Sequence, residues 1–210
     1  MGHNTSLYAL TSGTSGIIPQ MSGFLTSDHF WEATVFVDHA TSYMYTHLKR
    51  GQTLIESIEA KAAYEPMAST FGIRVKKFRT ENGIFEEEGF KQDVSDNNQT
   101  ISYCGVGAHF QNGIVEADIK QLTEKARTML IHVKHLWTEV IQPCLWPYVL
   151  KQAEFNLNNL RVEKSGKSPA ENFTAMHIKI NIRHYHTFGC LVYVLDARLQ
   201  GASFIPKWYE

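Results

Sequence analysis

Two carboxylates raise the question of chemistry. Glu81 ends a short apolar and basic run, Phe78-Arg79-Thr80, and is followed by Asn82-Gly83. Glu116 closes Gly113-Ile114-Val115-Glu116, at the start of a long periodic stretch. The first acid falls where a strand should give way to a loop, and the second in the first turn of a helix. Acids delivered by separate elements can converge on one divalent cation or a pair, the arrangement used for in-line displacement at phosphorus. A hard ion such as Mg²⁺ takes oxygen ligands and is satisfied by one or two carboxylates plus substrate phosphates. Spacing alone does not separate this from two unrelated surface acids. Asp38, at the end of Thr34-Val35-Phe36-Val37, is a further candidate acid on the residues alone.

The elements that must position these acids are legible as alternating strand and helix patterns. Ser6 to Leu10 reads as a short strand within a Ser, Thr and Gly-rich opening. Thr34 to Val37 is a β-favouring apolar run of the kind that fills a buried strand, and Ser42 to His47 can pair with it as a hairpin. Thr53 to Phe71 reads as a helix with Leu54, Ile55, Ile58, Ala62, Met67 and Phe71 on its apolar side. Thr53 and Glu56 suggest a capping box, Gly72 a stop, and Pro66 a kink or early end. Ile73, Val75 and Phe78 form the next strand, with basic residues between them. A short helix over 86–97 and a strand over 101–104 follow. Asn112 is a candidate N-cap for a helix over 113–134, with a stripe of Val115, Ile119, Leu122, Ala126, Met129, Leu130 and Val133. Glu116, Lys120, Thr123 and Arg127 recur on another face of that helix. That sets two cations beside the acid where a nucleic-acid backbone would lie; an ordinary exposed face with a Glu116–Lys120 pair fits the same spacing. An aromatic-rich helix over 145–160 reads as core. Ser168-Pro169-Ala170-Glu171 starts a short helix with a capping box, and 191–195 is a last apolar strand.

The totals set bounds. A chain of 210 residues holds one core domain and a short appendage. The formal charge of −1 is low for a nucleic-acid binder. Charge is nevertheless clustered: Arg74, Lys76, Lys77 and Arg79 are opposed in sequence by Glu86, Glu87 and Glu88. No apolar run approaches the ~18 residues that a membrane span needs, and the opening residues do not read as a signal peptide. Cys104, Cys144 and Cys190 form no Cys-Xaa-Xaa-Cys pair and suggest reduced thiols of an intracellular protein. His177, His184 and His186 lie close in sequence, but no acid or cysteine is spaced to join them.

The words around the acids resemble those of copia-type retrotransposon integrases. Arg79-Thr80-Glu81-Asn82-Gly83 is similar to that family's Arg-Xaa-Asp-Asn-Gly, and the run from Gly105 through His109-Phe110-Gln111-Asn112-Gly113 to Glu116 is similar to its second motif. Val35-Phe36-Val37-Asp38-His39-Ala40, Ser165-Gly166-Lys167-Ser168-Pro169 and Phe188-Gly189-Cys190 onward to Asp196 match in order, so the resemblance covers nearly the whole chain. It implies an RNase H-like catalytic core, α/β, with a mixed five-stranded sheet flanked by helices over residues 1–160. An extension over 161–210 would begin an SH3-like barrel. It implies joining of DNA ends with Mg²⁺ or Mn²⁺, DNA as partner, a possible homo-oligomer, and the nucleus as place of action. The zinc module that precedes such cores is not expected here.

Residue by residue, the resemblance assigns metal ligation and catalysis to Glu81 and Glu116, and nucleic-acid contact to Gln111, Asn112, Lys120 and Arg127. It also marks departures. The family's first catalytic Asp falls on Tyr8, and its second is Glu81. Phe110 stands where His is common, and Ala117 where Arg or Lys is common. Asp38 matches a family Asp that is not a metal ligand. These changes imply an impaired or decayed copy.

Overall fold

A computed structural model describes residues 30–80, 83–104, 113–137, 145–163, 165–181, 183 and 185–190, and the strand Asn4–Ser12 at the level of its backbone. In chain order the elements are β1 (Asn4–Ser12), β2 (Glu32–Asp38), β3 (Met44–Lys49), α1 (Leu54–Thr70), β4 (Arg74–Thr80), α2 (Glu88–Asp96), β5 (Thr100–Tyr103), α3 (Gly113–Leu136), α4 (Trp146–Leu160) and α5 (Pro169–Thr174). The strands run in the order β3-β2-β1-β4-β5. β2 is antiparallel to both β1 and β3, while β1, β4 and β5 are mutually parallel. The hairpin pair β2–β3 and the parallel pair β4–β5 are thus joined through β1.

Burial shows how the helices clothe this framework. All seven residues of β2 are buried, so it is covered on both faces, as its unbroken apolar run requires. α1 contacts β2, β3 and β4, whereas α3 contacts β1 and β2 and α4 contacts β3. One core joins Phe36, Val75 and Phe78 from the sheet to Ala60 and Tyr64 of α1, to Phe90 and Val94 of α2, and to Phe173 of α5. Phe36 stacks on Tyr64 with ring centroids 4.8 Å apart. Glu32 and Lys49, directly paired across β2 and β3, form a buried ion pair at 3.2 Å. That pair helps to fix the register, because a slip of one residue would strand both charges.

α1 departs from its sequence reading. Its buried residues are Ser57, Ala60, Lys61, Tyr64 and Ala68; of the expected apolar side Leu54, Ile58 and Met67 pack against the core, while Ile55 is 68% exposed. Lys61 is accommodated partly by another element: its Nζ meets Asp93 of α2 at 2.7 Å, and Glu65 of α1 at 3.2 Å. Apolar spacing within one helix carries no trace of such partners. Nor does α1 stop at Pro66, which is exposed, as is Ala62, the residue whose carbonyl loses its N–H donor. It ends where expected, with Gly72 at φ +73° and its N–H on the carbonyl of Ser69.

The residues Met1–Ile180 make one compact unit and Asn181–Glu210 another. α5 belongs to the first because Phe173 is buried in its core and stacks on Tyr43 at 4.2 Å. The apolar strand and SH3-like segment expected after residue 190 lie outside the described residues. Among the described residues no helix is long and apolar enough to cross a membrane.

Candidate functional site

The parallel strands β1 and β4 lie side by side with Leu10 level with Thr80. Tyr8 is two residues before Leu10 and is paired across the sheet with Val37 of β2. Thr80 is buried and is the last residue of β4; its carbonyl accepts the N–H of Cys104 at 3.0 Å, tying together the ends of β4 and β5. Glu81 comes next in the chain and, with Asn82, lies outside the described residues. Gly83 then takes φ +112°, a backbone state that residues with a side chain rarely adopt. The strands' carboxyl ends, with loops leaving them, are where open parallel sheets present ligand sites.

α3 supplies the described carboxylate. Val115 and Asp118 are buried, and between them Glu116 is exposed in the helix's first turn. The buried stripe of α3 is Val115, Asp118, Leu122, Ala126, Leu130 and Val133. Asp118, absent from the expected stripe, is held by Arg161 Nη1 at 3.3 Å, and the Nη2 of Arg161 meets Glu163 at 2.9 Å. Burial raises the pKa of the Asp118 carboxyl, and Arg161 opposes that rise. The helical period alone points to position 118, but an acid there reads as apolar-face misfit until Arg161 is seen.

The proposed nucleic-acid residues divide. Lys120 and Arg127 are exposed on α3. Lys120 pairs with Glu124 at 3.9 Å rather than with Glu116, an exposed contact of little energetic weight. Gln111 and Asn112, including the expected N-cap, lie outside the described residues. Asp38 is fully buried. Its Oδ2 accepts from the N–H and the hydroxyl of Thr41 at 2.9 and 2.6 Å, so this carboxyl fastens the β2–β3 turn. Burial raises its pKa. His177 meets Glu171 at 2.7 Å.

The donor set can be weighed for a divalent cation. Two carboxylates, Glu81 and Glu116, suit one hard ion. A phenol with a pKa near 10 is neutral at pH 7, so Tyr8 is a poor third ligand. Among the described residues no group of three or more His, Cys, Asp or Glu side chains is placed to hold a metal.

No protein-family model matches the sequence, and no curated protein matches it. Solved structures do. The magnesium-bound HTLV-2 integrase catalytic core domain, in a trimeric form, aligns at 18% identity and TM-score 0.54, over 81% of this chain and 95% of that one. The BIV integrase catalytic core domain aligns at 13% identity and TM-score 0.56, over 83% and 95% of the two chains. A chain of the simian T-cell lymphotropic virus intasome in complex with the PP2A regulatory subunit B56 gamma aligns at 15% identity and TM-score 0.57. That alignment spans 92% of this chain and 61% of that one. At these identities the likeness speaks to architecture: the chain has the mixed α/β fold of retroviral integrase catalytic cores.

Proposed function

We propose that this chain is the catalytic-core portion of a copia-type retrotransposon integrase, with DNA binding retained and metal-dependent strand transfer impaired. The observation that carries the reading is the exposure of Glu116 in the first turn of α3, a helix that crosses β1. β1 lies beside β4, whose end leads into Glu81. The integrase-core fold and the ordered copia-like motifs support it. On this reading Glu81 and Glu116 are the surviving metal ligands, for Mg²⁺ or Mn²⁺. Gln111, Asn112, Lys120 and Arg127 touch DNA. Partners are retroelement ends, target DNA and further copies of the chain, and the place of action is the nucleus. Tyr8 favours a second reading, an inactive remnant that binds nucleic acid or protein.

Repair of the site tests the proposal. A glutamate for an aspartate moves the carboxylate by roughly 1 Å, enough to cost about a hundredfold in rate. Glu81→Asp alone should restore little, because Tyr8 leaves the site one acid short. Tyr8→Asp alone should recover metal affinity with poor geometry. The double replacement should exceed the product of the single effects, since groups acting as a unit are non-additive. Adding Glu116→Ala should abolish the gain. The assay is Mn²⁺-dependent nicking or strand transfer on a short duplex. A folded double variant with no metal-dependent activity would defeat the assignment of these residues. Activity of the unmodified chain equal to that of the double variant would remove the claim of impairment.

A further inference from the structure

We propose that the uncovered face of β4 and β5 is a second contact surface for the phosphate backbone of duplex DNA, distinct from the exposed face of α3. The inference rests on the DNA-integration reading for its choice of duplex. Its starting point is a contrast in burial. β2 is buried at every residue, but β4 is buried only at Val75, Phe78 and Thr80. Val75 and Phe78 belong to the core shared with α1 and α2. That side of β4 is therefore filled, and among the described residues its other side has no comparable cover.

Four cations share the second side. The register between β1 and β4 steps from Thr5–Val75 to Ser6–Lys77, so β4 carries one extra residue, Lys76. A bulge of this kind breaks strict alternation and sets two neighbouring side chains on one side. Val75 and Phe78, three apart, both reach the core, while Arg74, Lys76 and Lys77 are exposed and Arg79 is half-buried. On β5, Thr100 and Ser102 are the register partners of Lys77 and Arg79, and their hydroxyls donate to the carbonyls of Lys76 and Phe78.

Two of the acids that follow this cluster in sequence, Glu86 and Glu88, lie toward Tyr103. Tyr103, partner of Thr80, packs against the core beneath α2, and Glu86 and Glu88 act electrostatically on its hydroxyl. A chain with net charge −1 thus presents a locally cationic strip. Ammonium and guanidinium groups are the usual partners of phosphate oxygens, and they position a duplex without reading its sequence. Among the described residues this face of β4 and β5 carries no aromatic ring. It lacks the stacking platform that single strands use and the apolar groups that anchor a protein in a membrane surface.

The test uses the full chain and a short labelled duplex of arbitrary sequence, titrated at several salt concentrations. Lys76→Glu with Lys77→Glu should weaken binding about tenfold or more at low salt and flatten the slope of log affinity against log salt by roughly 2. Lys76→Gln with Lys77→Gln should give the same flattening with a smaller loss, and it replaces the charge reversal if that variant fails to fold. Duplex should be preferred to single strand of the same sequence. Lys120→Glu with Arg127→Glu should weaken binding independently, and that variant alone reports on the α3 face of the proposed function. Variants at 76 and 77 that fold, melt as the parent does and bind duplex with unchanged affinity and slope would overturn the inference. So would a parent chain with no affinity for duplex at low salt, or one whose lysine-dependent binding is confined to phosphatidylserine vesicles.

Discussion

Asp38 and Glu116 are both acids at the ends of elements, and their surroundings give them opposite uses. Glu116 faces solvent and is available to a ligand; Asp38 is enclosed and spent on Thr41. Because burial raises the pKa of Asp38 above its ordinary 3.8, the native state holds its proton more tightly than the unfolded chain does. Its contribution to stability is then complete below pH 3.8 and lost as pH rises through the raised value. Asp38→Asn keeps an acceptor for Thr41 without the buried charge. It should be at least as stable as the parent at pH 7, with the advantage vanishing near pH 4. Asp38→Ala should cost about 1–2 kcal/mol through the lost turn bonds. Urea melts at both pH values decide this; a larger advantage at the acid end would show the sign to be wrong. Sequence marked Asp38 as an acid at a strand end but not its enclosure. Enclosure depends on Tyr64 and Thr41 closing around it, and only the fold brings α1 over β2.

Element by element, what was legible in the sequence is local and what was hidden is not. The box at Ser168 and Glu171 forms with both halves, Glu171 N–H to Ser168 Oγ at 3.2 Å and Ser168 N–H to Glu171 Oε2 at 2.9 Å. Its four residues are contiguous. At Thr53 only the hydroxyl half forms, and one oxygen of Glu56 accepts instead from the N–H of Arg50 at 2.7 Å. The largest omission is the tie between α4 and β3. Asn158 accepts the N–H of Met44 at 2.9 Å and donates to the carbonyl of the same residue at 2.7 Å; Lys151 donates to the carbonyl of Thr46. α4 thereby occupies an edge strand that would otherwise be a template for pairing. Asn158→Ala should cost about 2–4 kcal/mol, since two buried backbone groups lose their partner. It should also make the protein more prone to associate through β3. Denaturant titration and light scattering measure the two effects, and a loss below about 0.5 kcal/mol would mean that water replaces Asn158.

For the molecule as a whole, residues that follow α4 take part in the core. Arg161 reaches back to Asp118 on α3, and Phe173 fills the space beside Tyr43 and Phe71. A chain ending at Ile180 should therefore melt well above one ending at Leu160. Removing a buried Phe alone costs about 3–5 kcal/mol, and an uncompensated Asp118 adds to that. Equal melting temperatures for the two truncations would put α5 outside the cooperative unit. The order of strands and helices was legible because apolar periodicity carries it. The contacts of α5 were not, because a six-residue helix announces its cap in sequence but not the distant rings that it meets.

The complete enclosure of β2 also has a consequence in time. Amide hydrogens exchange with solvent at rates set by how much structure must open to release them. A strand buried along its whole length between two paired neighbours, with helices on both faces, releases its amides only in the largest openings. Those of Val35 to Val37 should be the last to exchange, and those of β5, at an edge of the sheet, should leave much earlier. Native-state exchange read residue by residue would show the order, and early loss at Val35 to Val37 would contradict it. The slow spine contains neither Glu81 nor Glu116. Substitutions at the strand ends leave it untouched, so a chain can lose the chemistry of such a site and remain a folded, long-lived protein.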